Sequence, residues 1–234
     1  MSENILNSTT TEVSTTETTV CWCTNMQCCC QKIIKIFILI PNRITTVHDT
    51  ATCCKNKCIN KNLKYGSCIS NNGYVNVWPN GKIKYFLAEK EENNKWIYLS
   101  AQNSFTRIYK RYSLFYYEVK MVKETENEGC VGIGFTNPAK ILLCNNNTIW
   151  LDSQKFSWKD GDVFGCGIVY QPNKESFAIV FFTKNGEKIG DKIFLEEIDK
   201  VRPHFGLISC SIEINFGYDL TLKPFMYDVN KHFC

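Results

Sequence analysis

The chain is expected to be all-β: an antiparallel β-sandwich preceded by a disordered tail and a cysteine-rich basic segment. Three observations predict it. From Asn71 almost to the end, short runs alternate apolar and polar residues, the period-two signal of half-buried strands. Asn80-Gly81 and Asn185-Gly186 mark hairpins, because an Asn-Gly pair accepts the positive φ that a type I′ turn demands at both central positions. Helical periodicity is confined to one turn near Glu196 to Lys200. About ten strand-like runs with no crossover helices leave a sandwich as the way to bury one face of each sheet.

Taken in order, residues 1–20 are rich in Ser and Thr, hold three acids and no base, and offer little to anchor them, so a disordered tail is expected. Residues 21–70 form the cysteine-rich basic segment. Between Cys21 and Cys68 lie nine of the fourteen cysteines, with seven bases against one acid. Its central run IIKIFILI (Ile33 to Ile40) is eight residues long and interrupted by Lys35. A spanning helix needs about 20 apolar residues, so the run is too short to cross a membrane and is open to joining the sandwich as a strand.

The sandwich is expected over residues 71–222, with a C-terminal tail at 223–234. In IKYFL, Ile83, Tyr85 and Leu87 share a face. In FYYEVKMV, Phe115, Tyr117, Val119 and Met121 alternate with Tyr116, Glu118 and Lys120. In IEINF, Ile212, Ile214 and Phe216 alternate with Glu213 and Asn215. Gly165 and Gly167 alternate with Phe164, Cys166 and Ile168, leaving one strand face nearly bare, where a bulky aromatic can approach closely. The FFTKNG hairpin is expected to return against that strand, with Phe205 and Phe216 filling the space between the sheets.

From Ser113 onward the motifs resemble, in order, a SPRY domain of the B30.2 class, closest to the Ran-binding-protein-M type. They are FYYEVKMV (115–122), GCVGIGF (129–135), GDVFGCGIVY (161–170), IVFFTKNGEKIG (179–190), RPHFGL (202–207) and IEINFGY (212–218). Between Thr136 and Trp158 the chain departs from that subtype: NPAKILLCNNNTIWLDSQKFSW stands where many members carry an aromatic, aspartate-rich stretch. The resemblance implies a non-catalytic module that reads a peptide segment or protein surface through its loops. It also implies kinship with adaptors that bring clients to ubiquitin ligases. Stiff sheets carrying adaptable loops suit recognition. The expected partner-binding residues are Arg107, Tyr109, Arg111 and Tyr112, together with Asn137, Pro138, Trp150, Leu151 and Trp158, since tryptophan and arginine dominate interface energies. The plainer alternative makes Trp150 and Trp158 caps on the core, and Tyr109 and Tyr112 sheet residues.

The cysteine-rich segment points to other chemistries. Clustered cysteines beside basic residues suit reversible S-acylation, because one acyl chain holds weakly and a basic patch adds a second signal. Cys21, Cys23, Cys28, Cys29 and Cys30 are the candidates, which makes a membrane-tethered scaffold the alternative function. His48, Cys53, Cys54, Cys58 and Cys68 were considered as zinc ligands. Cys54 and Cys58 are suitably spaced, but no second regular pair exists and adjacent cysteines rarely share an ion, so no metal and no cofactor is expected. With three histidines, and a glycine-rich GCVGIGF that lacks the lysine-serine ending of a phosphate loop, neither catalysis nor a small-molecule substrate is expected. A net charge of +4 is too small to argue for nucleic acid. Cys130, Cys144, Cys166, Cys210 and Cys234 read as scattered thiols of a reducing compartment, and Met1 to Val20 lacks the pattern of a secretory leader. A cytoplasmic setting is therefore expected, with membrane association as the alternative.

Overall fold

The computed structural model describes residues 11–24, 27–47, 52–56, 58–59, 67–108, 111–124, 129–136, 140–144, 156–171, 177–196 and 198–230. Sixteen strands follow one another: β1 Thr11–Thr24, β2 Gln27–Leu39, β3 Ile44–Val47, β4 Tyr74–Val77, β5 Lys82–Phe86, β6 Ile97–Ala101, β7 Phe105–Thr106 and β8 Tyr112–Lys123. They continue as β9 Cys130–Phe135, β10 Lys140–Cys144, β11 Val163–Tyr170, β12 Phe177–Lys184, β13 Glu187–Glu196, β14 Lys200–Val201, β15 Pro203–Ile208 and β16 Cys210–Asn215. Among the described residues no helix is long and apolar enough to cross a membrane.

The all-β, antiparallel sandwich is what the alternation predicts. One sheet runs β13-β12-β11-β8-β16-β5-β4, and the other β10-β9-β15-β6-β3. A two-stranded ladder, β14-β7, lies off both sheets. Between the sheets, Phe115, Tyr117, Val119 and Met121 of β8 are buried together with Ile83, Tyr85, Ile212, Ile214 and Phe216. Phe205 and Phe216 meet edge to face at 6.4 Å, with Tyr117 against both at 5.5 and 5.8 Å. Leu87, expected on the same face as Ile83 and Tyr85, lies past the end of β5 and is exposed.

The bare glycine face points out of the sandwich, and two aromatics lie across it. A Cβ on Gly165 would sit 1.8 Å from the Tyr116 hydroxyl oxygen, and one on Gly167 would sit 2.2 Å from the Phe181 ring. Tyr116 on β8 and Phe181 on β12 therefore stack at 6.0 Å over β11, the strand between them. Leu114, Phe37 and Val169 complete this outer cluster, and Tyr227 and Val229 cover it. Glu118 fastens the cover: its carboxylate accepts the amides of Met226 and Tyr227 at 3.0 Å each, and the Tyr116 hydroxyl at 3.1 Å. Residues 225–230, expected as tail, are thus packed on the large sheet.

The turns divide. Asn185 and Gly186 both take positive φ, 49° and 87°, as a type I′ turn requires. At Asn80-Gly81 only Gly81 does. There Pro79 opens a four-residue turn closed by Gly81 N–H to the Trp78 carbonyl at 3.1 Å, and proline's fixed φ suits that position of a type I turn. Among the described residues near Glu196 there is no helical turn: β13 runs to Glu196 and β14 starts at Lys200.

Upstream, β2 pairs in parallel with the start of β8, Lys35 opposite Tyr112 and Phe37 opposite Leu114. Ile36, Phe37 and Ile38 are buried, and β3 extends the second sheet beside β6. The expected boundary at Asn71 therefore does not separate two packed units. β1 pairs with β2 along its length, so the backbone of residues 11–20, expected as disordered tail, runs as a strand from Thr11. Its threonines and valines favour that conformation, and β2 offers a free edge. Residues 1–10 lie outside the described residues. Cys130 and Cys144, expected as free thiols, form a disulfide between β9 and β10. The two-strand register sets them opposite each other, which distance along the chain does not reveal. Cys166 and Cys210 are free and buried.

Candidate functional site

The sandwich has two loop-bearing ends, and each gathers chemistry. At the end where β8 begins, a groove of about 410 Å³ opens between residues 102–108 and 200–202, with Ile40 at its side and Phe115 on its floor. Asn42 holds the first loop by accepting the Asn103 amide at 2.9 Å and donating to the Asn103 carbonyl at 2.9 Å. The β7–β14 ladder, Thr106 opposite Lys200, holds the second.

Arg107 lines the groove but points inward. Its side chain is buried, its Nε lies 3.0 Å from an Asp199 carboxylate oxygen, and its guanidinium sits 5.1 Å over the Tyr170 ring. It stiffens the wall. Lys200 is exposed and Arg202 half-buried on the same wall, and Arg202 is tied to Thr136 by two bonds, amide to Oγ1 at 3.2 Å and carbonyl from the Thr136 amide at 2.9 Å. Lys200 and Arg202 were absent from the expected set, although their close spacing in KVRPH was a readable basic signal.

The other expected residues scatter. Arg111 and Tyr112 are half-buried where β8 begins, and Tyr112 packs against the outer aromatic cluster as a sheet residue. Trp158, read as either a binding residue or a cap on the core, is 3% exposed inside the core, where its indole N–H meets no acceptor among the described residues. Tyr109, Asn137, Pro138, Trp150 and Leu151 lie outside the described residues. His204, read as a strand residue, lies on β15 with its Nδ1 3.1 Å from Ser100 Oγ on the neighbouring strand. Residues directly opposite on a ladder meet in this way without any catalytic demand.

At the opposite end, where β4 starts and β5 finishes, four cysteines converge. The Sγ atoms of Cys53, Cys54, Cys58 and Cys68 all lie within 4.8 Å of one another. Cys58 is 3.4 Å from both Cys53 and Cys54, which are themselves 3.9 Å apart. None of the four is in a disulfide. The Ile59 amide donates to Cys53 Sγ at 3.2 Å, while burial raises the Cys53 thiol pKa and the Cys58 backbone amide lowers that of Cys54. The Asn72 side chain donates to the Cys53 carbonyl at 2.6 Å, and Asn71, at φ 52°, donates its amide to the Cys68 carbonyl at 2.8 Å. Tyr74 and Phe86, stacked at 4.9 Å, form the apolar wall between this cluster and the sheet.

No protein-family model matches the chain, and no curated protein matches it. Among solved structures, it is similar to a human SPRY domain with a TM-score of 0.44 and 17% sequence identity, over 64% of this chain and 99% of that one.

Proposed function

We propose that this chain is a non-catalytic interaction module that takes an extended peptide in the groove between residues 102–108 and 200–202. The observation that carries the reading is the build of that groove: a wall fixed by the Arg107–Asp199 ion pair and the Arg107–Tyr170 stack, with Lys200 and Arg202 at its rim. A wall rigid before binding spares the ligand the cost of ordering it. The basic rim favours a peptide with acidic side chains or a free carboxylate. The motif order resembling SPRY domains supports the same reading. Service as an adaptor to a ubiquitin ligase, and the Ran-binding-protein-M subtype, rest on that resemblance alone.

The test is selection from a random peptide display library against the full chain. Enrichment of acidic peptides that bind wild type, and bind the Lys200→Glu/Arg202→Glu double variant at least about tenfold more weakly, is the expected result. Peptides that ignore the charge reversal would move the site elsewhere.

A second reading, membrane tethering by acylation, is supported by the hairpin register: Cys21 is opposite Cys30 and Cys23 opposite Cys28, gathering the candidate cysteines near the hairpin tip, away from the β2–β8 contact at Lys35–Phe37. Acyl label on these cysteines that hydroxylamine removes supports it; label absent from all five ends it.

A further inference from the structure

We propose that Cys53, Cys54, Cys58 and Cys68 bind one zinc ion as a tetrahedral four-thiolate structural site that ties residues 52–56, 58–59 and 67–72 to the end of the large sheet.

Zinc binds thiolate sulfur at about 2.3 Å, and four such ligands at tetrahedral corners stand about 3.8 Å from one another. The three resolved sulfur separations of 3.4, 3.4 and 3.9 Å bracket that edge, and the remaining pairs stay within 4.8 Å. Four free thiols concentrated in so small a volume need a reason. Disulfides would draw the sulfurs together in pairs, and apolar packing alone would favour larger side chains. A shared cation accounts for all four at once.

The surroundings agree with a thiolate centre. The Ile59 amide N–H is directed at the Cys53 sulfur, 3.2 Å away. Such bonds fix ligand orientation and spread thiolate charge, as the outer partners of metal ligands do. Ile59 and Tyr74 are buried beside the cluster, with Cys53, Cys54 and Cys68 buried and Cys58 half-buried. With four protein sulfurs the coordination shell is complete, and no position remains for water or substrate. The site is structural.

The spacing also explains why the sequence hides it. Cys53 and Cys54 are adjacent, and nine residues separate Cys58 from Cys68, so no pair of regular knuckles is written along the chain. A bend at residues 53–56 turns two neighbouring side chains to one centre. On binding, each cysteine that is still a thiol gives up its proton to solvent, one zinc ion and four thiols forming a complex of net charge −2 with release of up to four protons.

The experiment is metal analysis of the full chain purified without chelator, followed by cobalt(II) titration of the demetallated protein. One zinc per chain is expected, and cobalt should give the thiolate charge-transfer absorption and intense visible bands of a tetrahedral sulfur site. Cys54→Ser should lose the metal. Cys68→His, which preserves a ligand, should keep cobalt with a shifted spectrum even if the serine variant folds poorly. A variant with Cys21, Cys23, Cys28, Cys29 and Cys30 all changed to serine should retain one zinc. Wild-type protein that binds neither zinc nor cobalt overturns the proposal. So does zinc that disappears only in the five-cysteine variant, and so does iron in place of zinc at one per chain.

Discussion

The sandwich interior and the cysteine node at its end solve the same problem with different means. Inside the sandwich, Tyr117, Phe205, Phe216, Phe115 and their neighbours are fully or nearly fully buried in one continuous cluster spanning both sheets. Among the described residues, the node has Ile59 and Tyr74 beside its cysteines, with Phe86 alongside. Apolar burial grows with domain size, so a large two-sheet core gains far more from it than a small cluster at its end does. Where apolar area runs short, a small unit needs a covalent or metal staple. Four thiols at one point are what the node has to offer.

That contrast can be broken in order of expected effect. Phe205→Ala, at the meeting point of both sheets, should cost about 3–5 kcal/mol and lower the urea midpoint of the whole molecule, because the cavity it leaves is lined by rings that cannot collapse into it. A loss confined to one segment would show that the two sheets do not unfold together.

Glu118→Ala should cost less, about 1–3 kcal/mol, by leaving the Met226 and Tyr227 amides without their acceptor, while the Tyr116 hydroxyl keeps Thr183 Oγ1 at 2.7 Å. Hydrogen exchange should quicken at Met226 and Tyr227 while the β8–β16 ladder stays protected. Uniform exchange through both regions would contradict a local role. The same residue gives a pH signature. Burial holds the Glu118 carboxyl above the usual carboxylate range despite the three bonds it accepts. The folded protein then binds more protons than the unfolded chain between the two pKa values. Its contribution to stability is greatest below the unfolded value and falls as pH rises through the raised folded value. Urea midpoints measured across that window should show the fall in wild type, and Glu118→Gln should flatten it.

Chelation of the proposed zinc at the node should be smaller still in its effect on global unfolding. It should expose the chain near residues 52–72 to limited proteolysis while the sandwich resists; simultaneous loss of both would make the node part of the core. Smallest of all, Lys200→Glu/Arg202→Glu should change stability by no more than about 0.5 kcal/mol, since Lys200 is exposed and Arg202 holds Thr136 through its backbone, and act on peptide binding alone. A larger loss in the urea midpoint would show that the rim supports the fold.

Legibility followed the same division. The β8 alternation, the β16 alternation, the Asn185-Gly186 turn and the bare glycine face could all be read along the chain, because strand pattern and turn chemistry are local properties. Trp158 shows the opposite case: its type suggests an interface, yet it fills the core, and nothing in its neighbours along the chain announces which way it faces. In the groove, Arg107 has its side chain buried in the wall against Asp199 and Tyr170, a placement set by contacts far along the chain, whereas the basic spacing of Lys200 and Arg202 in KVRPH is legible locally.

By itself, then, the sequence determined an all-β chain with its strands, its hairpins and the inward set Phe115, Tyr117, Val119 and Met121, since a period of two settles which face is apolar before any partner arrives. Only the tertiary structure decided that IIKIFILI becomes a strand beside β8, that residues 225–230 cover the outer aromatics, and that Cys130 meets Cys144. It also decided that Cys53, Cys54, Cys58 and Cys68 share one point at the end of the sheet. Each of these joins segments far apart along the chain or turns neighbours toward a common centre, and that is fixed by register and packing, which no local pattern encodes.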